Sequence, residues 1–235
     1  MNKPESRPSF LLIPGAGGMA WYWHRVAPLL EKAGFGVVAV DLPGDDESAG
    51  LDEYAEITMR AIGQRSDVVL VAQSLGAFTA PLVCARTSMR SLVFVNAMIP
   101  LPGETAGDWW ANTGAVEARI AAATAGGYSP EFDLSTYFLH DVPPEILTGG
   151  PSRPREQAGT VFGQPCRFEQ WPSIPIRVIA AAEDRFFPLE FQRRVARGRL
   201  AAEIEVMPGG HLVALSRPKE LAALLVRSQR ESHTL

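Results

Sequence analysis

Val68-Val69-Leu70-Val71-Ala72-Gln73-Ser74-Leu75-Gly76-Ala77 joins a strand-like run to a helix-like one through a serine. An apolar run of strand length stops at Gln73-Ser74-Leu75-Gly76 and passes into a segment of helical character. A short run that is apolar at every position marks a strand buried on both faces. A serine at the sharp turn from such a strand into a helix presents its hydroxyl at the carboxyl edge of the sheet, the arrangement called a nucleophile elbow. The usual pattern is Gly-x-Ser-x-Gly, and Ala72 stands at its first position, where a small side chain still fits a crowded turn. Serine in that place also serves as a plain helix N-cap. The remainder of the chain has to decide between the two.

Three further apolar runs occur in the first half, at Phe10–Ile13, Val37–Val40 and Leu92–Val95, and two in the second, at Ile176–Ala180 and Ile204–Val206. Helical periodicity fills the gaps. Trp23, Val26, Ala27 and Leu30 form one apolar stripe, Tyr54, Ile57 and Ala61 another, and helices are expected near Leu189–Arg197 and Pro218–Arg227. Strands alternating with helices predict an α/β fold, a mostly parallel sheet of about six strands with helices on both faces. Residues 100–172 break the alternation and are rich in Pro, Gly and aromatics. They read as an inserted helical cap within a single domain spanning residues 1–235, with helices near Asp108–Thr124 and Leu134–His140. An insertion after a parallel strand falls at the carboxyl edge of the sheet, where α/β proteins bind ligands. Trp109, Trp110, Tyr137, Phe138 and His140 of the cap, with Phe186 and Gly15 outside it, are therefore the expected substrate surface. Gln229–Leu235 is expected to be a frayed polar tail.

A serine hydroxyl needs a base to take its proton, and an imidazole suits the task near neutral pH. The imidazole in turn needs a carboxylate to fix its tautomer. Ser74, Asp184 and His211 stand in the chain order that this fold uses, each just past a predicted strand. Glu183 and Asp41 are alternative acids. His24, His140 and His233 are weaker candidates for the base, lying in a helical stretch, the insertion and the tail. The negative charge that develops on a substrate oxygen needs donors. The N–H groups of Leu75 and of Ala16, in the loop Pro14-Gly15-Ala16-Gly17-Gly18, are the expected pair.

Composition removes several classes. The chain has 235 residues, 46% hydrophobic and 20% charged, with a net charge of −4. These values fit a globular protein with one sizeable core and give no basic face for nucleic acid or an anionic membrane. No run reaches the roughly 18 apolar residues that a transmembrane helix needs, and MNKPESRPSF carries no secretory h-region. Cys84 and Cys166 match no metal or redox spacing and read as reduced thiols in a cytoplasmic protein. No metal and no cofactor are expected. The sequence leaves oligomeric state open, a homodimer included.

These residues resemble the α/β-hydrolase superfamily, and within it the branch of plant hydroxynitrile lyases and small methyl esterases. Ala20-Trp21-Tyr22-Trp23-His24, Pro28-Leu29-Leu30-Glu31 and Val40-Asp41-Leu42 are similar to that branch's first βαβ unit. Asp184-Arg185-Phe186-Phe187-Pro188, Glu190-Phe191-Gln192 and Gly209-Gly210-His211 are similar to its C-terminal half. The likeness covers about the first 95 and the last 60 residues. It implies a serine esterase acting on small, largely apolar carboxylic esters through an acyl-enzyme, and a chain that begins at what is usually the third strand. Two departures bear on the reaction. Gly15 stands where the lyases carry threonine, and Leu212 where they carry lysine. Both point away from lyase chemistry and toward ester hydrolysis, with lactone or C–C bond hydrolysis as variants on the same machinery. Gly44-Asp45-Asp46 replaces a Gly-His-Gly of many relatives and reads as a solvated acidic loop.

Two rivals belong to other classes. Gly15-Ala16-Gly17-Gly18-Met19-Ala20, with Asp41 ending the next strand, satisfies the spacing of a dinucleotide-binding oxidoreductase. Pro14 and the crowded Trp21-Tyr22-Trp23 speak against it. A non-catalytic receptor built on the same sheet is the other.

Overall fold

The computed structural model describes residues 7–151 and 155–231. Six strands form one sheet: β1 (Ser9–Ile13), β2 (Gly36–Ala39), β3 (Val68–Gln73), β4 (Ser91–Val95), β5 (Ile176–Ala181) and β6 (Ile204–Met207). Their order is β2-β1-β3-β4-β5-β6, and every pairing is parallel. The helices in chain order are α1 (Ala27–Lys32), α2 (Leu51–Ile62), α3 (Ala80–Cys84), α4 (Ala106–Thr113), α5 (Ala115–Gly126), α6 (Pro144–Thr148), α7 (Thr160–Gly163), α8 (Leu189–Leu200), α9 (Val213–Ser216) and α10 (Pro218–Glu231). Among the described residues no helix is long and apolar enough to cross a membrane.

The alternation of side chains along a strand divides the core in two. Leu11, Ile13, Leu70, Ala72, Leu92, Phe94 and Val178 pack with residues of α2, α3 and α8. Phe10, Leu12, Val69, Val71, Val93, Val95 and Ile179 pack on the other face with α1, α9 and α10. Both faces of the central strands β1, β3 and β4 are dry, so these are apolar along most of their length, while the edge strands β2 and β6 are only partly covered and β6 carries Glu205. Register then aligns the strand ends. Ile13 lies opposite Ala72, Gln73 opposite Val95 and Ala181 opposite Met207. The loops that follow β1, β3, β5 and β6 therefore open on one rim.

Local expectations differ from the structure at four places. The helix expected over Asp108–Thr124 is two helices, because Gly114 adopts the left-handed conformation (φ 64°) between α4 and α5. Thr105 caps α4, its Oγ1 accepting the Asp108 N–H at 2.9 Å. Leu134–His140 is one wide π turn, Ser135–Leu139. After Ser74 the chain makes a 3₁₀ turn, Ser74–Phe78, before α3 begins with Pro81 in its first turn. The expected frayed tail is helical to Glu231, and Gln229 is buried, accepting from Arg90 Nε at 3.0 Å. His233 lies outside the described residues. Cys84 and Cys166 are both free, and burial pushes each thiol up to about 12.

One buried ion pair anchors the start of the insertion. Glu104 accepts from Arg199 Nη2 at 2.8 Å, from Arg199 Nη1, from Asn112 Nδ2 at 2.9 Å and from the Leu101 N–H at 3.0 Å. The Arg199 and Glu104 side chains are 8% and 4% exposed. Burial alone raises the Glu104 pKa, but the bonds from Arg199, Asn112 and Leu101 outweigh it and hold the carboxyl below its ordinary value of 4.5. A depressed folded pKa stabilises the fold above the unfolded value, and that contribution disappears as pH falls through the folded one. Glu104→Gln leaves Arg199 buried without its countercharge and is expected to cost about 3 kcal/mol at pH 7. Thermal melts of both proteins check this. The gap between them should narrow as pH drops below 4.5.

Candidate active site

β3 delivers Ser74 to the rim in a strained conformation. Its φ is +49°, a region that costs a non-glycine residue on the order of 1–2 kcal/mol. The strain is held by packing: Ser74 O accepts the Met98 N–H at 3.1 Å, and Gly76 lies so close to Pro14 that a Cβ would meet its carbonyl oxygen at 2.4 Å. The sharp turn aims the hydroxyl at the loop after β6. There His211 Nε2 stands 3.1 Å from Ser74 Oγ. On the far side of the ring, His211 Nδ1 is 2.8 Å from Asp184 Oδ2. All three side chains are buried.

Asp184 is fully engaged. Its Oδ1 accepts the N–H groups of Phe186 (2.8 Å) and Phe187 (2.9 Å), and Gln192 Nε2 approaches Oδ2 at 3.4 Å. An ionised carboxylate with those bonds accepts a proton donor at His211 Nδ1, which leaves the Nε2 lone pair facing Ser74. The other acids are spent elsewhere. Glu183 takes the Gly209 N–H, and Asp41 takes the Ala20 N–H at 2.9 Å and Arg155 at 3.1 Å. The other described histidines are also placed apart from Ser74. His24 is exposed, stacked on Trp21 and bonded to its carbonyl. His140 rests with Nε2 against Gly210, and burial followed by nearby Arg185 pushes its pKa down.

Several supports went unread in the sequence. Asn96 ends β4 with φ 45°; its Nδ2 donates to Gly210 O and His211 O at 3.1 Å each, and its Oδ1 accepts the Ala181 N–H at 2.8 Å. A polar residue at the end of Ser91–Val95 was the available signal. Asp141, from the insertion, accepts the Gly210 N–H at 2.7 Å. Gln73, beside the serine, brings Nε2 to 3.4 Å from His211 Nε2. Phe187 sets its ring edge-on to the imidazole at 5.1 Å.

The aromatic residues separate into two groups. Phe138 stacks parallel on His211 (4.9 Å, 15°) and Phe186 meets it edge-on at 5.1 Å, with half-buried Trp110 against Phe186 at 5.4 Å. Trp109 and Tyr137, expected at the substrate surface, are instead fully enclosed. Trp109 packs on Phe187 and Phe191 and donates to Ile99 O at 3.0 Å, while Tyr137 donates to Ser129 O at 2.6 Å. Large rings with a satisfied polar tip are packing elements here.

Leu75, in the first turn of the 3₁₀ segment, has an N–H with no intrahelical acceptor. Ala16 is exposed, and among the described residues its N–H meets no protein acceptor. The glycine-rich loop is not open to a dinucleotide. Arg155 O and Leu42 O press on Gly17 and Gly18, and the segment that follows is a four-residue 3₁₀ turn, Ala20–Trp23. Asp45 and Asp46 are exposed, as expected of a solvated acidic loop, and the next residue ties down the insertion: Glu47 accepts from the Gly159 and Thr160 N–H groups at 3.0 and 3.1 Å.

Known proteins resemble this chain in sequence and in fold. The profile of the Alpha/beta hydrolase family matches residues 10–224. The chain belongs to that family. It is similar to Methylesterase 7 of Arabidopsis thaliana, 27% identical over 96% of this chain and 97% of the relative. Alpha-hydroxynitrile lyase of the same plant is 24% identical over 92% and 95%. A pyrethroid hydrolase from Sphingobium faniae JZ-2 has a similar structure, with TM-score 0.77, 20% identity and coverage of 97% and 99%.

Gly15 shows how tightly the site is built. A Cβ there would stand 2.3 Å from Gln73 Oε1 and 2.9 Å from Ser74 Cβ. The amide can swing aside, but the Ser74 Cβ cannot yield without moving the hydroxyl off His211. Gly15→Val is expected to cut esterase turnover by roughly 100-fold, in line with an ångström-scale misplacement, with little change in melting temperature. Steady-state kinetics on a p-nitrophenyl ester measures it.

Proposed function

We propose that this chain hydrolyses carboxylic esters of small, largely apolar substrates through an acyl-enzyme on Ser74. The observation that carries the reading is the buried chain Ser74 Oγ–His211 Nε2 (3.1 Å) and His211 Nδ1–Asp184 Oδ2 (2.8 Å). Ser74 Oγ attacks the ester carbonyl as its proton passes to His211 Nε2. Asp184 keeps the imidazole in the receptive tautomer and stabilises the imidazolium. The N–H groups of Ala16 and Leu75 take the oxyanion. Collapse of the tetrahedral intermediate expels the alcohol, protonated by His211. Water then enters, gives a proton to the same nitrogen, attacks the acyl carbonyl and frees Ser74 and the acid.

The substrate class follows from what surrounds the imidazole. Phe138 and Phe186 contact the ring directly, so a reacting ester sits against aromatic faces. The name of the methylesterase relative supports a small alcohol leaving group. A lyase reading has the α-hydroxynitrile lyase relative in its favour, against Gly15 and Leu212 in this chain. Release of cyanide from a cyanohydrin at a rate rivalling ester turnover would favour it.

Ser74→Ala is expected to lower p-nitrophenyl acetate turnover by at least roughly 10³-fold with the fold intact. Asp184→Asn should lower it by roughly 10⁴-fold through the wrong tautomer, by analogy with the serine protease triad. Near-normal turnover by Ser74→Ala, with circular dichroism unchanged, would remove the mechanism.

A further inference from the structure

The oxyanion loop is held by a strap from the insertion. Gly18 N–H donates to Gly15 O at 3.0 Å, closing a turn with Ala16 and Gly17 at its centre. Gly17 has φ +81°, the value that the third residue of a type II turn requires. Glycine there tolerates either orientation of the central peptide, so the turn does not fix itself. The fixing group comes from more than a hundred residues away. Gln157 Oε1 accepts the Gly17 N–H at 3.0 Å. Its Nε2 donates to Gly44 O at 3.1 Å and to Tyr54 Oη at 3.2 Å. One carboxamide thus ties the loop after β1 to the loop after β2 and to α2. The neighbours on the strap reinforce it: Arg155 donates to Leu42 O and to Gly17 O, the latter at 3.4 Å, and Ala158 N–H donates to Gly44 O at 2.6 Å.

We propose that Gln157 is the positioning residue of the oxyanion hole. It touches no reacting atom. It immobilises the peptide immediately after Ala16, whose N–H meets no protein acceptor among the described residues and faces the oxyanion in the proposed reaction. A donor that wavers gives up transition-state stabilisation, because preorganisation is what makes such hydrogen bonds effective. The insertion thereby contributes to the chemical step as well as covering it. This inference rests on the ester-hydrolase reading and adds a requirement to it.

Gln157→Leu removes both ends of the amide at similar length. It is expected to lower kcat by roughly 10- to 50-fold while KM stays within about twofold, since only the transition state carries the oxyanion. Affinity for a trifluoromethyl ketone, which forms a tetrahedral oxyanion adduct on serine, should fall by the same factor. Glu47→Gln loosens the same strap at Gly159 and Thr160 without touching the loop after β1. It is expected to keep kcat within about twofold. A purely structural role predicts that the two variants lose melting temperature and leave kcat alone, or lose kcat alike; either result overturns the proposal. So does a loss confined to KM. Ser74→Ala assayed alongside separates the two levels. If it stays active, the underlying reading falls and the inference with it; if it is dead while Gln157→Leu is unimpaired, only the inference falls.

Discussion

The hydrogen bond between His211 Nδ1 and Asp184 Oδ2 is the constraint around which the rim is organised. It joins the loops after β5 and β6, and it determines which lone pair the imidazole offers to Ser74. A buried carboxylate is costly unless its oxygens are satisfied. Here the Phe186 and Phe187 N–H groups meet that requirement, and in doing so they bring two rings against the imidazole. Asn96, Glu183 and Asp141 hold the backbone of the loop that carries His211. Electrostatic satisfaction and apolar enclosure are therefore one arrangement. Each ring excludes water from a hydrogen bond that would be weaker in its presence.

The insertion takes part in this arrangement at both ends. Phe138 covers one face of the imidazole and Asp141 holds the Gly210 N–H. Arg155 and Gln157 press on the opposite side of the rim, at the glycines after β1. The Glu104–Arg199 pair binds its first helix to α8. The sheet places Ser74, Asp184 and His211, and the insertion tightens the loops around them. That division explains why residues 100–172 look unlike the rest of the chain. They answer to loop contacts and polar ties rather than to the two-faced burial that dictates the strands.

What could be read in the sequence follows the same division. The central strands were legible because burial on both faces leaves Val68–Ala72 and Leu92–Val95 without a polar position, and the edge strands because their short apolar runs alternate with helices. That Ser74, Asp184 and His211 would meet was legible because each follows a strand whose carboxyl end opens on the same rim. Trp109 and Tyr137 were misread because composition cannot distinguish a ring that faces a ligand from one that packs beneath it. Asp108–Thr124 was read through Gly114 because helical periodicity is blind to one left-handed residue. Gln157 and Asn96 gave little signal, since their partners are backbone groups brought near only by the fold. Asp45 and Asp46 are solvated as read, while the tie made by their neighbour Glu47 gave no signal because Thr160 lies far along the chain.

In the proposed reaction Ser74 is made nucleophilic by His211. The most direct measurement is peptide mapping by mass spectrometry after treatment with a stoichiometric fluorophosphonate. One adduct is expected, on the peptide carrying Ser74, and it should be lost when His211 is replaced by Gln. An adduct on another residue, or equally fast labelling of Ser74 without the imidazole, would contradict it.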